Sequence, residues 1–126
     1  MDALILQTAA SGAPVTAVAG TFALFALFLS LTAHIAARNV LGDVEVKKAF
    51  AVGPVPAAIA VVFTTFQWNS FLALGLALGF DFGFIKFLYG RSNRLSAYIV
   101  GIHFVVSVLL GTVLFGLVVI LLSAPA

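Results

Sequence analysis

Four runs of almost uninterrupted apolar residues, at about 15–37, 46–67, 71–89 and 95–122, constrain this chain more than any other feature. A backbone in hydrocarbon must satisfy its own amide groups, so a run of about 20 apolar residues becomes a helix crossing roughly 30 Å of lipid interior. A soluble core cannot absorb this sequence. Of 126 residues 63% are hydrophobic and 8% charged, where globular chains carry about 25% charged residues. The expected fold class is all-α: an integral membrane four-helix up-down bundle with short loops. Its domain spans 15–122, between an external N-terminal segment, 1–14, and an external C-terminal tail, 123–126.

The polar breaks between the runs set the topology. Pro14 sits where a first helical turn tolerates proline, and the first span ends at Arg38-Asn39. Gly42 and Asp43 have the pattern of a C-cap glycine followed by an N-cap for the next helix. That helix meets Gly53-Pro54-Val55-Pro56; starting it after the prolines would leave about 15 residues, too few to cross. One helix kinked at Pro54 and Pro56 is expected. Gln67-Trp68-Asn69-Ser70 and Gly90-Arg91-Ser92-Asn93-Arg94 form the other two turns, and connections this short force antiparallel neighbours.

All six basic residues, Arg38, Lys47, Lys48, Lys86, Arg91 and Arg94, fall in or beside the first and third breaks. The positive-inside rule then puts loops 38–48 and 90–94 in the cytoplasm and both termini outside. Trp68 falls at the outer interface, Tyr89 and Tyr98 near the inner one. The acid in Met1-Asp2-Ala3-Leu4 stands where a secretory signal carries Lys or Arg, so no cleaved targeting segment is expected. Six basic residues in all are no nucleic-acid footprint. With no cysteine, thiol catalysis, disulfides and thiolate metal sites are excluded. No phosphate loop, Ser/His/Asp set or metal-ligand cluster appears either, so neither an enzyme, nor a metal, nor a cofactor is expected.

Small residues mark helix-packing faces. Gly75, Gly79 and Gly83 form a GxxxGxxxG row that lets another backbone approach closely, within the fold or from a second copy or larger membrane complex. Looser rows run through Ala26, Ser30 and Ala33; Ala49, Gly53 and Ala57; Ser107 and Gly111; Thr112 and Gly116. The expected partners are the lipid bilayer and other membrane helices.

Asp81 is the most informative residue. A carboxyl about eight residues from its helix end lies about 12 Å below the interface, where insertion costs at least roughly 2.5 kcal/mol unless a partner or water meets it. At about 100° per residue it lies nearly opposite the glycine row, on a face shared with Ala73 and Ala77. His103 is the natural partner, because residues 81 and 103 are equally far from Ser92 at the turn, and it begins a His103, Ser107, Gly111 row. Two readings of the pair stand: a polar clasp between helices, the favoured one, and a proton or cation relay. His34, one turn inside Arg38, reaches interfacial water in the plain reading; with His103 it would supply the two axial ligands of a haem anchor, a further alternative.

Thr64-Thr65-Phe66 resembles the TTF segment of small four-helix fluoride channels, a resemblance confined to those three residues, since the family's glycine-rich lead-in and asparagine-bearing second helix are missing. Here Thr64 and Thr65 read as side chains bonding their own helix backbone. Small multidrug transporters share the size but need a glutamate in the first span, which has none. The stretch Leu31-Thr32-Ala33-His34-Ile35-Ala36-Ala37-Arg38-Asn39-Val40-Leu41-Gly42-Asp43, with Val52-Gly53-Pro54-Val55-Pro56-Ala57-Ala58 after it, resembles uncharacterised four-span membrane proteins of halophilic archaea. That resemblance implies a fold and no activity. The functional expectation is a structural or accessory membrane component, the alternative a proton- or cation-coupled transporter or channel built on Asp81 and His103.

Overall fold

A computed structural model describes residues 15–125; the proposed external segment 1–14 lies outside the described residues. The helices are α1 (Val15–Leu41), α2 (Val46–Val52), α3 (Pro54–Thr65), α4 (Ser70–Tyr89) and α5 (Asn93–Ser123), and no strand occurs among the described residues. Helices α2 and α3 make one span of 20 residues, so four spans are long and apolar enough to cross a membrane. The fold is an all-α, four-helix up-down bundle. Neighbours run round a ring: α1 beside α2 and α3, α3 beside α4, α4 beside α5, and α5 back beside α1.

The turns follow from local chemistry. Helix α1 runs past Arg38 to Leu41 and stops at Gly42, whose φ of 88° suits only a residue without Cβ; its amide donates to the Arg38 carbonyl at 2.9 Å. The expected Asp43 cap does not form. Glu45 occupies the cap position without a side-chain bond, and Asp43 pairs with Arg38 at 3.5 Å in solvent. The helix start moves two residues along, to a cap at Glu45, with Val44 packed onto the core. At the opposite end Asn69 Oδ1 accepts from the amides of Phe71 and Leu72 at 2.8 and 3.2 Å, starting α4. Gly90, left-handed at φ 62°, ends it, and the Ser92 hydroxyl caps α5 through the Leu95 amide at 3.2 Å.

The second span is interrupted between α2 and α3. Prolines at 54 and 56 remove two amide donors, yet Gly53 keeps helical angles of −57° and −41°. The path therefore stays helical while the ladder loosens, the Ala57 amide reaching the Gly53 carbonyl only at 3.4 Å.

Packing is tightest where small residues face each other. Ala26, Ser30 and Ala33 of α1 are buried, as are Ala49, Gly53 and Ala57 of α2 and α3. A Cβ built on Gly53 would collide with the backbone and side chain of Ser30. The larger core, Ala33, Ala36, Ala37, Ala49, Val52, Ile85, Tyr89 and Ile99, lies towards the basic loops.

Among the described residues nothing packs against the stricter glycine row. Gly75, Gly79 and Gly83 are exposed, and nothing lies within 4 Å of a Cβ built on any of them. The reason is on the other side of the helix. Asp81, Ile85 and Tyr89 are the buried residues of α4, and a helix cannot turn both its carboxyl and the opposite glycine face inward. A carboxyl left in lipid costs more than a glycine left there. Ser107 and Gly111 do lie on the inner side of α5, half-buried, with Phe28 at 3.8 Å from a Cβ on Gly111.

Candidate functional site

The bundle centre holds two ionisable side chains, each 3% exposed: Asp81 on α4 and His103 on α5. His103 Nδ1 lies 2.6 Å from Asp81 Oδ2. Its other nitrogen, Nε2, lies 3.0 Å from the Leu29 carbonyl of α1. That carbonyl also accepts from Thr32 Oγ1 at 3.1 Å, and Thr32 Oγ1 in turn accepts from Ser107 Oγ at 2.8 Å. One histidine thus ties three helices together, and a serine of the same α5 face reinforces the tie.

This geometry decides where the protons are. A carbonyl oxygen only accepts, so Nε2 carries a proton and donates it. Nδ1 and Oδ2 then share one further proton, in a charge-assisted bond if it rests on the ring, or with a neutral acid donating to the ring if it rests on Oδ2. In both arrangements the pair is neutral as a unit. Leaving an unpaired charge at this depth would be far more costly.

Four polar atoms are buried without a protein partner among the described residues: Asp81 Oδ1, Tyr89 Oη, Ser96 Oγ and His34 Nδ1. Tyr89 lies two turns from Asp81 on the same face of α4, with Ile85 between them, and the Lys48 ammonium stands 5.6 Å from its ring centre. Between Asp81 and the basic loops the interior is therefore filled by Ile85, Ile99 and Val52, all fully buried.

Away from the basic loops the interior is open. A cavity of about 720 Å³ descends from the Gln67–Ser70 turn and ends on Asp81 and His103. Asp81 is eleven residues from Ser70 at the start of α4, which makes the cavity about 16 Å deep. Its walls are mostly apolar and aromatic, with Phe28, Phe63, Trp68 and Phe104 prominent. The volume lies within the range of roughly 300–1,000 Å³ typical of small-molecule sites. At the mouth Trp68 packs edge-on to Phe63 at 5.0 Å and stacks on Phe66 at 5.2 Å.

Other expected residues take plainer places. Thr65 Oγ1 bonds back to the Val61 carbonyl at 2.6 Å, while Thr64 lines the cavity instead. His34 is half-buried with Nδ1 enclosed, rather than directed wholly to the interface. A bis-histidine haem does not fit these residues, because both nitrogens of His103 are engaged by Asp81 and Leu29. The Leu29 carbonyl and the cavity itself were not foreseen from sequence. A backbone acceptor has no signature in residue identity.

No curated protein and no solved structure matches the chain. Residues 12–125, nearly the whole length, match the model of a family of unknown function, DUF7473, and the chain belongs to that family.

Proposed function

We propose that this protein is a structural or accessory component of a membrane, in which the Asp81–His103 pair acts as a clasp. The observation that carries the reading is the complete engagement of His103, one nitrogen on a carboxyl of α4 and the other on a carbonyl of α1. The core packed between the pair and the basic loops supports it. The outward glycine row of α4 leaves a face on which another membrane helix, from a second copy or a larger complex, would approach closely. No catalysis is assigned.

A second reading, proton- or cation-coupled transport, draws support from the cavity that reaches the pair from the Gln67–Ser70 side. Asp81→Asn separates the two. The asparagine amide donates to Nδ1 of a neutral imidazole and preserves the tie to Leu29, so a clasp predicts a stability change within about 1.5 kcal/mol. Wild-type and variant proteoliposomes are expected to pass protons no faster than empty vesicles. A wild-type flux lost in Asp81→Asn would replace the clasp with the relay.

The basic loops are proposed to face the cytoplasm, with residues 66–70 outside. Cysteines introduced at Lys47 and Arg91 are expected to react with a membrane-impermeant maleimide only in inverted vesicles, and one at Asn69 only in right-side-out cells. Labelling of 47 and 91 from opposite sides would remove the four-span topology.

A further inference from the structure

The side of α5 that turns away from the bundle carries a groove. Ser96, Ile99 and His103 are the buried residues of this helix, and at about 100° per residue Arg94, Ala97, Tyr98, Gly101 and Val105 lie opposite them. Together with Ile102 these residues line a shallow surface groove. Gly101 lies within it, and a Cβ built there meets nothing within 4 Å. Arg94 and Val105 are eleven residues apart, about 16 Å along the axis, close to half of the roughly 30 Å of hydrocarbon in a bilayer. The groove thus spans one leaflet, with a cation at its interfacial end.

That end fixes the charge of the occupant. Asp43 and Glu45, the acids of the basic loops, lie within 4.0 Å of Arg38 and Lys47, and the remaining ion pair among the described residues joins Asp81 to His103. Arg94 is exposed and has no acidic partner among them. A guanidinium matches a phosphate with two parallel hydrogen bonds. Tyr98, one turn along and 57% exposed, adds a phenol hydroxyl that can donate to the same group. Below these two polar side chains the lining is apolar, which suits an acyl chain. A zwitterionic head brings its own ammonium towards Arg94 and offsets the gain. A second copy fits worse: packed across Ala97 and Gly101 about a two-fold axis normal to the membrane, it would bring two Arg94 side chains together.

We propose that this face of α5 binds one anionic phospholipid from the leaflet that meets the basic loops, its phosphate on Arg94 and Tyr98 and one acyl chain lying over Gly101 towards Val105. The site rests neither on the clasp nor on which way the basic loops face.

The test uses the full chain in phosphatidylcholine nanodiscs, with phosphatidylglycerol or phosphatidylcholine carrying a diazirine in one acyl chain as trace photoprobes. Residues 98–105 are expected to be labelled about fivefold more by the phosphatidylglycerol probe, the ratio that one interfacial arginine contributing about 1 kcal/mol supplies. Around Leu109 and Leu121 the two probes are expected to label equally. Arg94→Gln is expected to bring the ratio at 98–105 close to one, whereas Arg91→Gln, which removes the same charge outside the groove, keeps most of it. Gly101→Leu fills the groove without changing charge, and is expected to abolish the preference while the protein keeps its helical signal and melting temperature. Equal labelling of 98–105 by both probes overturns the proposal. So does a preference lost equally in Arg91→Gln, which would mean a diffuse field, or one that survives Gly101→Leu. A disulfide between two copies through a cysteine at position 101 would give the face to a partner helix instead.

Discussion

His103→Ala is expected to destabilise the protein by about 3–5 kcal/mol, the range seen when one partner of a buried charged pair is removed. The loss has three sources in the same place. Asp81, 3% exposed, keeps a carboxyl with no donor to share. The Leu29 carbonyl loses its bond to α5. An imidazole-sized void opens beside a cavity that is already large. The compensated double variant Asp81→Leu with His103→Leu is expected to recover most of the loss, because replacing a whole buried pair by apolar side chains is often neutral. Thermal melting in a fixed detergent, with tryptophan emission from Trp68 as a second probe, measures both. A single variant that melts within 1 kcal/mol of wild type, by the linkage of about 1.4 kcal/mol per tenfold population change, would mean that the clasp contributes little.

Gly53→Val is the second large effect expected. The added Cβ would meet backbone as well as side-chain atoms of Ser30, and backbone cannot yield by changing rotamer. Helices α1 and α3 would have to separate, opening the contact between Ala26, Ser30 and Ala33 on one side and Ala49 and Ala57 on the other. Overpacking typically costs about 1–3 kcal/mol, with the upper end expected where backbone must shift. Gly79→Ala is the contrast: with nothing within 4 Å of its Cβ, it should be neutral or stabilising by about 0.5–1 kcal/mol as a monomer, since alanine loses less entropy in a helix. A destabilised oligomer in Gly79→Ala, seen by cross-linking beside an unchanged monomer, would place a partner helix on that face.

These two glycines show what sequence conveys and what it withholds. Hydropathy located the four spans because lipid imposes one backbone solution, and equal distance from Ser92 put Asp81 and His103 at one depth because an antiparallel hairpin preserves depth. The GxxxGxxxG row says that close approach is permitted, and not what approaches. Its face was decided by Asp81, whose desolvation outweighs any gain from burying Gly75, Gly79 and Gly83. Two looser rows, Ala26, Ser30 and Ala33 against Ala49, Gly53 and Ala57, make the actual contact, and Ser30 can be buried there because its hydroxyl satisfies itself on the Ala26 carbonyl at 2.7 Å. Asp43 reads as a cap by residue type, yet the burial of Val44 moved the helix start past it. The Leu29 carbonyl, equal to every other carbonyl in the sequence, becomes distinctive only when α5 brings His103 to it.

The unequal helix lengths carry a further consequence. Helix α5, with 31 residues, is about 46 Å long, whereas α4, with 20, is about 30 Å. Only the shorter of these matches the hydrocarbon thickness of an ordinary bilayer, so α5 must lean, protrude or thicken the lipid around it, each at a fraction of a kcal/mol per Å of mismatch. A thicker bilayer relieves α5 while stretching past the α3–α4 hairpin. The stability of the bundle is therefore expected to vary with the thickness of the bilayer around it.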